Sequence, residues 1–370
     1  MTGQIIEYLG RMAREMIEGC IVYSENSIAL YTPDGMGNYA ALWTRDFAYM
    51  AEYAGEFIPV ERQKACVDYL LSRAREDGWI PDRVYADGTA IYSAGEAWLP
   101  LGLANLDNGP YAVIAADACL GRMPESEAKE QFLKWEPALS AGLAALPVGG
   151  DGLIYNSPEE PHSPYGFTDC ILKTGSLFTE SLLLWRAYAL LGKWRSLCGL
   201  EDGGCTEKKA LIEKNLLKTF SRGDGTYNAA TADCKQADVW GCCMLLASGF
   251  PMREDEKRAA ASWLIKNNTA LVSRGQLRHT APGEYWEKVL LFAVPQGQYQ
   301  NGAYWAAAGG WYAEAVAPYA PELALETLKQ ARDYFSEHGI FECVNGDYRK
   351  LDKYVVSATN VYGSAKRIFG

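Results

Sequence analysis

Apolar residues recur at helical spacing along most of the chain, over 4–19, 44–55, 60–75, 93–105, 109–121, 125–145, 175–192, 206–220, 236–249, 254–267, 302–317, 322–337 and 355–368. Positions i, i+3, i+4 and i+7 then share one face, which predicts amphipathic helices in each segment. Strand-type alternation is confined to short pieces, such as the stretch from Tyr23 to Tyr31. The pattern predicts an all-α protein.

A loop signature returns between these helices: EDGWIPD from Glu76, GDGLIYN from Gly150, GDGTYNA from Gly223 and EHGIFEC from Glu337. An acid or His, a Gly and then an apolar residue make a turn followed by a short extended stretch. The first three copies lie about 73 residues apart, which predicts a degenerate repeat of helical hairpins with equivalent loops on one face. A closed ring of hairpins has inner helices lining a funnel and these loops at one mouth. An open solenoid would show tighter sequence repeats. No shift in composition marks a boundary, so residues 1–370 are expected to form a single domain.

Composition narrows the partners. Apolar residues make up 49% of the chain and charged ones 22%, as in a globular protein with a large core. Asp and Glu number 46 against 35 Lys and Arg, a net charge of -11, and no basic tract is present to follow a phosphate backbone, so nucleic acid is not expected as a partner. No apolar run reaches membrane-spanning length. The chain starts in a charged amphipathic pattern without the features of an export signal. Its ten cysteines, among them Cys66, Cys119, Cys170, Cys242 and Cys243, form no C-x-x-C pair. Reduced thiols and a cytoplasmic location are expected. No metal-ligand spacing or cofactor motif appears, so the chemistry is expected to run on side chains alone.

The segment LWTRDFAYM carries the densest candidate chemistry: Trp43 can lie against a sugar face, Arg45 can donate several fixed hydrogen bonds, and Asp46 can accept from neighbouring hydroxyls. The structural alternative is a helix start with an acid near the positive end of its dipole. Elsewhere Trp and Tyr interleave with planar polar groups in WIPDRVYADGTAIYSAGEAW, SPYGFTDCILKTGSLFT, PQGQYQNGAYW and ECVNGDYRKLDKYVVSATNVYG, the mixture of stacking and hydrogen-bonding surface that a carbohydrate site needs. Gln300, Asn301, Tyr304 and Trp305, with Tyr299, are expected at subsites. The segment's small residues also suit close helix packing.

These motifs resemble the catalytic (α/α)6 barrel of glucoamylase-type, six-hairpin glycosidases. The early W-x-R-D is matched by Trp43, Arg45 and Asp46. A Trp preceding an Asp and a Gly-Pro at the next helix start is matched by Trp98, Asp107, Gly109 and Pro110, and a G-S-x-F-T start by Gly175, Ser176, Phe178 and Thr179. The chain departs from glucoamylases in having no N-terminal β-sandwich region and in placing Asp169 where a Glu acid is expected. The resemblance implies an (α/α)6 toroid that hydrolyses an α-linked neutral oligosaccharide from its end with inversion, and sugar-binding roles for Trp43, Arg45, Asp46, Trp98 and Asp107.

Glycoside hydrolysis needs one protonated carboxyl and one ionised carboxylate. Asp169, between an aromatic loop and a helix start, is the candidate acid, its alternative being a helix cap. Glu342 is the candidate base on resemblance, with Asp347, Asp352 and Glu284 competing. Three other readings remain. A sugar epimerase on the same toroid would need a His among His162, His279 and His338. A zinc-dependent cyclase would need a Cys/His ligand set, and a glycan-binding protein would keep the funnel without a working acid or base.

Overall fold

The computed structural model describes residues 2–96, 99–289 and 294–370. Thirteen helices are described: α1 (Thr2–Gly19), α2 (Thr44–Ala54), α3 (Val60–Leu71), α4 (Asn108–Leu120), α5 (Glu125–Ala144), α6 (Phe178–Leu197), α7 (Cys205–Phe220), α8 (Val239–Ala247), α9 (Glu254–Lys266), the single turn α10 (Asn268–Leu271), α11 (Ala306–Val316), α12 (Pro321–His338) and α13 (Val355–Phe369). Helices α2, α4, α6, α8, α11 and α13 each pack on the next, and α13 returns to α2, closing an inner ring. Around it α1 packs on α13, α3 and α5 on α4, α7 on α6, α9 on α8 and α12 on α11.

The sequence sorts the two rings by polarity. Outer α1, α9 and α12 bury one stripe each, as in Ile5, Leu9, Ala13 and Ile17 of α1, and keep charges on the other side. Inner α4, α8 and α11 are apolar on nearly all faces and buried almost throughout, as expected of helices with neighbours on every side.

Each recurring loop joins an outer helix to the next inner one, so all six inner helices start at the same mouth. The glycines explain the repeat. Gly78 and Gly225 hold φ of 94° each, and a Cβ on either would lie 2.6 Å from the backbone oxygen of Ala141 in α5 or Ala259 in α9. Gly275, in a loop that the signature did not flag, has φ 75° and meets Thr327 of α12 in the same way, at 2.4 Å. At each position the chain turns left-handed against the backbone of the neighbouring outer helix, which only glycine permits.

Two expectations need correction. The chain is not all-α: short strands line the mouth, including a five-stranded antiparallel sheet in the order 272–273, 276–278, 304–305, 341–345, 348–352. Its register pairs Leu277 with Trp305, Tyr304 with Val344 and Cys343 with Lys350. A three-stranded sheet pairs Trp43 with Arg83. The helix expected over 93–105 does not form either. Gly95–Glu96 and Leu99–Pro100 pair as strands, and Gly95 and Gly102 hold φ of 84° and 77°, so glycine and proline override the apolar spacing.

The centre of the ring is filled with aromatic side chains. Phe167 stacks on Tyr49 at 5.7 Å and on Trp305 at 5.7 Å, while Trp240 meets Trp305 at 5.5 Å and Trp311 at 5.7 Å. The hydroxyls of Tyr49, Tyr111 and Tyr165 bond one another beneath them. This plug forms the floor of the loop-bearing mouth. No described helix is long and apolar enough to cross a membrane.

Candidate active site

Above the plug lies a cavity lined by Pro33, Tyr39, Trp43, Arg45, Asp46, Gly166, Phe167, Asp169, Tyr299, Glu342 and Tyr354. Three carboxylates from distant parts of the chain meet there. Asp46 comes from the first turn of α2, Asp169 follows the short 3-10 turn Gly166–Thr168, and Glu342 sits on strand Phe341–Asn345.

Arg45 organises one wall. Its buried guanidinium donates from Nε to Asp107 Oδ2 at 2.6 Å and from Nη2 to Asp82 Oδ1 at 3.3 Å, with Asp46 Oδ2 3.9 Å from Nη1. Asp82 also receives Arg83 and Asn105, and Arg83 lies over the Trp43 ring at 4.6 Å. The Gly166 backbone rests on the guanidinium, where a Cβ would fall 1.6 Å from it, and donates its N–H to Asp107 at 3.0 Å. Arg45 therefore reaches the cavity with most of its donors engaged. Asp107 is fully buried behind it with both oxygens on Arg45, which corrects the expectation that Asp107 faces a sugar.

Asp46 accepts the Tyr354 hydroxyl at 2.6 Å. Burial pushes its carboxyl up to about 6, with Arg45 and Tyr354 opposing. Asp169 Oδ1 accepts the Gln300 side-chain amide at 2.6 Å, and Gln300 Oε1 receives the Cys170 N–H at 2.8 Å. Burial raises the Asp169 carboxyl above its ordinary range despite Gln300. Glu342 is buried, with Tyr39 Oη 3.4 Å from Oε1 and Lys350 Nζ 3.9 Å from Oε2. Burial, then the charges of Asp46 and Asp169, push it up to about 8 against the pull of Lys350. Two buried atoms at this wall, Trp43 Nε1 and Glu342 Oε2, have no hydrogen-bond partner among the described residues. Both are available to a polar ligand.

The loop 299–305 supports the site more than it lines it. Of the residues expected to touch substrate there, only Tyr299 borders the cavity, held at φ 42° and stacked on Trp305 at 5.5 Å. Gln300 holds Asp169. Asn301 is buried, accepting the Trp286 N–H at 2.9 Å, Trp305 belongs to the plug, and Tyr304 pairs in the sheet. Trp98 lies outside the described residues. Of the competing bases, Glu284 is bound to Arg222 and to the Ala237 N–H, and neither Asp347 nor Asp352 borders the cavity. His162 bonds Ala104, His279 bonds Asp238 and His338 lies against Tyr334, so none of the three reaches the carboxylates.

Sequence reading missed Tyr39, Tyr354 and Phe167. Tyr354 had a usable signal: it is the N-cap of α13, as Trp43 is of α2 and Trp305 of α11. Trp43 and Tyr354 line the cavity from this position, and Trp305 packs in the plug beneath it.

The largest cavity, about 790 Å³, opens at the opposite end, beyond the plug, between Tyr53, Met244, Trp311 and Phe369. Its acids, Glu52 and Glu314, are tied to Arg186 and Arg367. Burial raises Glu52, but the two guanidiniums win and hold it down to about 2. The smaller cavity is the one where three carboxyls raised by burial meet.

No protein-family profile and no curated protein matches the chain. Solved structures do. The mannosylglycerate hydrolase of glycoside hydrolase family 63 from Thermus thermophilus, in complex with Tris and D-glycerate, superposes with a TM-score of 0.71 at 16% identity, over 96% of this chain and 99% of that one. A rhamnosidase from Klebsiella oxytoca with rhamnose bound gives 0.69 at 12% identity, over 97% of this chain and 63% of that one. A family 78 rhamnosidase from a Bacillus species gives 0.64 at 12% identity, over 97% and 34%. The chain shares the fold of these proteins.

Proposed function

We propose that the protein is a glycoside hydrolase, a single (α/α)6 catalytic domain acting on the end of a neutral, α-linked oligosaccharide with inversion. One observation carries this reading: Asp46, Asp169 and Glu342, drawn from opposite parts of the sequence, line one aromatic cavity. Asp169, steadied by Gln300, protonates the departing oxygen, and Glu342 takes a proton from the attacking water. Asp46, Arg45 and Trp43 bind the sugar, with the unpartnered Trp43 N–H as one donor. An inverting pair stands about 6.5–9.5 Å apart, leaving room for the water. The cavity is about 30 Å³, space for a water or two and less than a sugar ring, so binding displaces side chains such as Tyr39 or Tyr299. The free thiols suit a reducing, cytoplasmic setting.

One observation favours the roles reversed. Glu342 is pushed up to about 8, as suits a carboxyl that donates a proton at neutral pH. A hydrolysis screen over α- and β-linked oligosaccharides, with NMR of the first-formed anomer, tests the proposal. It expects release of one sugar with inverted configuration, and loss of release in both Asp169→Asn and Glu342→Gln. Activity toward no glycoside, or release unaffected by both substitutions, contradicts it.

A further inference from the structure

Glu342 occupies an unfavourable place for a base. Asp46 on α2 and Asp169 after the 3-10 turn both face it with like charge, and Tyr39, Tyr299 and Tyr354 bring only neutral hydroxyls from the other walls. Cys343 and Tyr348 on its own hairpin bring no positive charge either. Arg45 is committed to Asp107, Asp82 and Asp46. Lys350 supplies the attraction that remains. It sits on strand Tyr348–Asp352, opposite Cys343 in register, with Nζ 3.9 Å from Glu342 Oε2 and 4.0 Å from the centre of the Tyr299 ring.

The placement is specific. Oε2 is the carboxylate oxygen without a hydrogen-bond partner among the described residues, while Oε1 has Tyr39. The ammonium lies beyond ordinary hydrogen-bond range of Oε2, so it acts through charge and leaves that buried oxygen without a hydrogen-bond partner among the described residues. The Tyr299 ring face beneath Nζ provides a second anchor of cation–π type. Lys350 is only partly buried, its side chain 30% exposed.

We propose that Lys350 is the positioning residue of the base, its ammonium favouring the ionised form of Glu342 and holding the carboxylate through charge. This rests on the reading of Glu342 as base. An opposite charge within about 4–6 Å favours the ionised form of a carboxyl, commonly by one unit or more. Lys350 does not touch the reacting atoms, so its removal changes the fraction of working enzyme and leaves the bond-breaking groups in place.

The test compares wild type, Lys350→Met and Lys350→Arg by carbon-13 NMR titration of the Glu side-chain carboxyls, with the Glu342 signal assigned from Glu342→Gln. Each protein is also assayed for kcat/KM against pH on a glycoside the wild type hydrolyses. Lys350→Met is expected to raise the Glu342 midpoint by about one pH unit and Lys350→Arg to restore it. A midpoint unchanged in Lys350→Met, in a protein with wild-type circular dichroism and denaturation midpoint, overturns the proposal. So does a midpoint that Lys350→Arg fails to restore. If the midpoint moves and a limb of kcat/KM moves with it, both proposals stand. If the midpoint moves and the limb does not, Lys350 governs Glu342 as proposed and the assignment of Glu342 as base is what fails.

Discussion

The Gln300 side-chain amide reaches across 131 residues of sequence to donate to Asp169 at 2.6 Å while its oxygen holds the next backbone N–H. Both ends of the amide are thus used to fix one carboxyl. Asp169 itself lines the cavity in which a departing oxygen would lie. Gln300→Ala should lower kcat on a natural glycoside roughly 10–100-fold, the scale of loss when a reacting group drifts by about 1 Å. KM should change little, while the thermal midpoint should fall, since the Cys170 N–H and the Asp169 carboxyl each lose a partner. A variant with wild-type kcat would show that the clamp is incidental.

The Arg45 cluster predicts a stability effect. Arg45→Met leaves Asp107 buried without its guanidinium, while Asp82 keeps Arg83 and Asn105, and breaking one partner of such a network costs about 3–5 kcal/mol. Gly166→Ala forces a Cβ into a guanidinium pinned on two sides, an overpacking cost of about 1–3 kcal/mol. Urea denaturation measures both. Equal stability of Gly166→Ala and wild type would mean that Arg45 has another place to go.

Much of this wall was legible beforehand. Trp43, Arg45 and Asp46 are consecutive or nearly so at a helix start, and local sequence encodes local geometry. The inner helices were legible as apolar runs, and the loop glycines as a repeat, because steric need against the next outer helix leaves few alternatives. Asp107 could not be placed: whether a carboxylate at a helix start faces substrate or turns back on an arginine depends on residue 45, far away in the chain. Tyr39 and Phe167 were hidden for the same reason. The 93–105 segment misled because its apolar spacing was weighed above Gly95, Pro100 and Gly102. Short strands such as 304–305 are set by pairing partners that no single stretch reveals.

The raised carboxyls carry a pH signature. Glu342 must be ionised to act as base, and it is pushed up to about 8 from 4.5. The free-enzyme profile of kcat/KM should therefore be bell-shaped, with one limb set by Glu342 near that pH and the other by Asp169, which must be protonated to act as acid. Exchanging the two roles leaves the shape of that profile unchanged, since one carboxyl must still be ionised and the other protonated. The same shift bears on stability. A carboxyl raised in the folded state stabilises below its unfolded value, near 4.5, and that contribution is lost as pH rises through about 8. Glu342→Gln should then match or exceed wild type in denaturation midpoint at pH 9, and a clear loss there would contradict the buried, repelled state described for Glu342.

The central claim is that Asp169 and Glu342 divide the work as acid and base, and leaving-group chemistry tests it most directly. Asp169→Asn should abolish hydrolysis of a natural glycoside yet retain much of the wild-type rate on the corresponding glycosyl fluoride, whose leaving group needs no proton. Glu342→Gln should lose both activities, with partial recovery on adding azide. Equal losses on both substrates for Asp169→Asn, together with an active Glu342→Gln, would contradict the account.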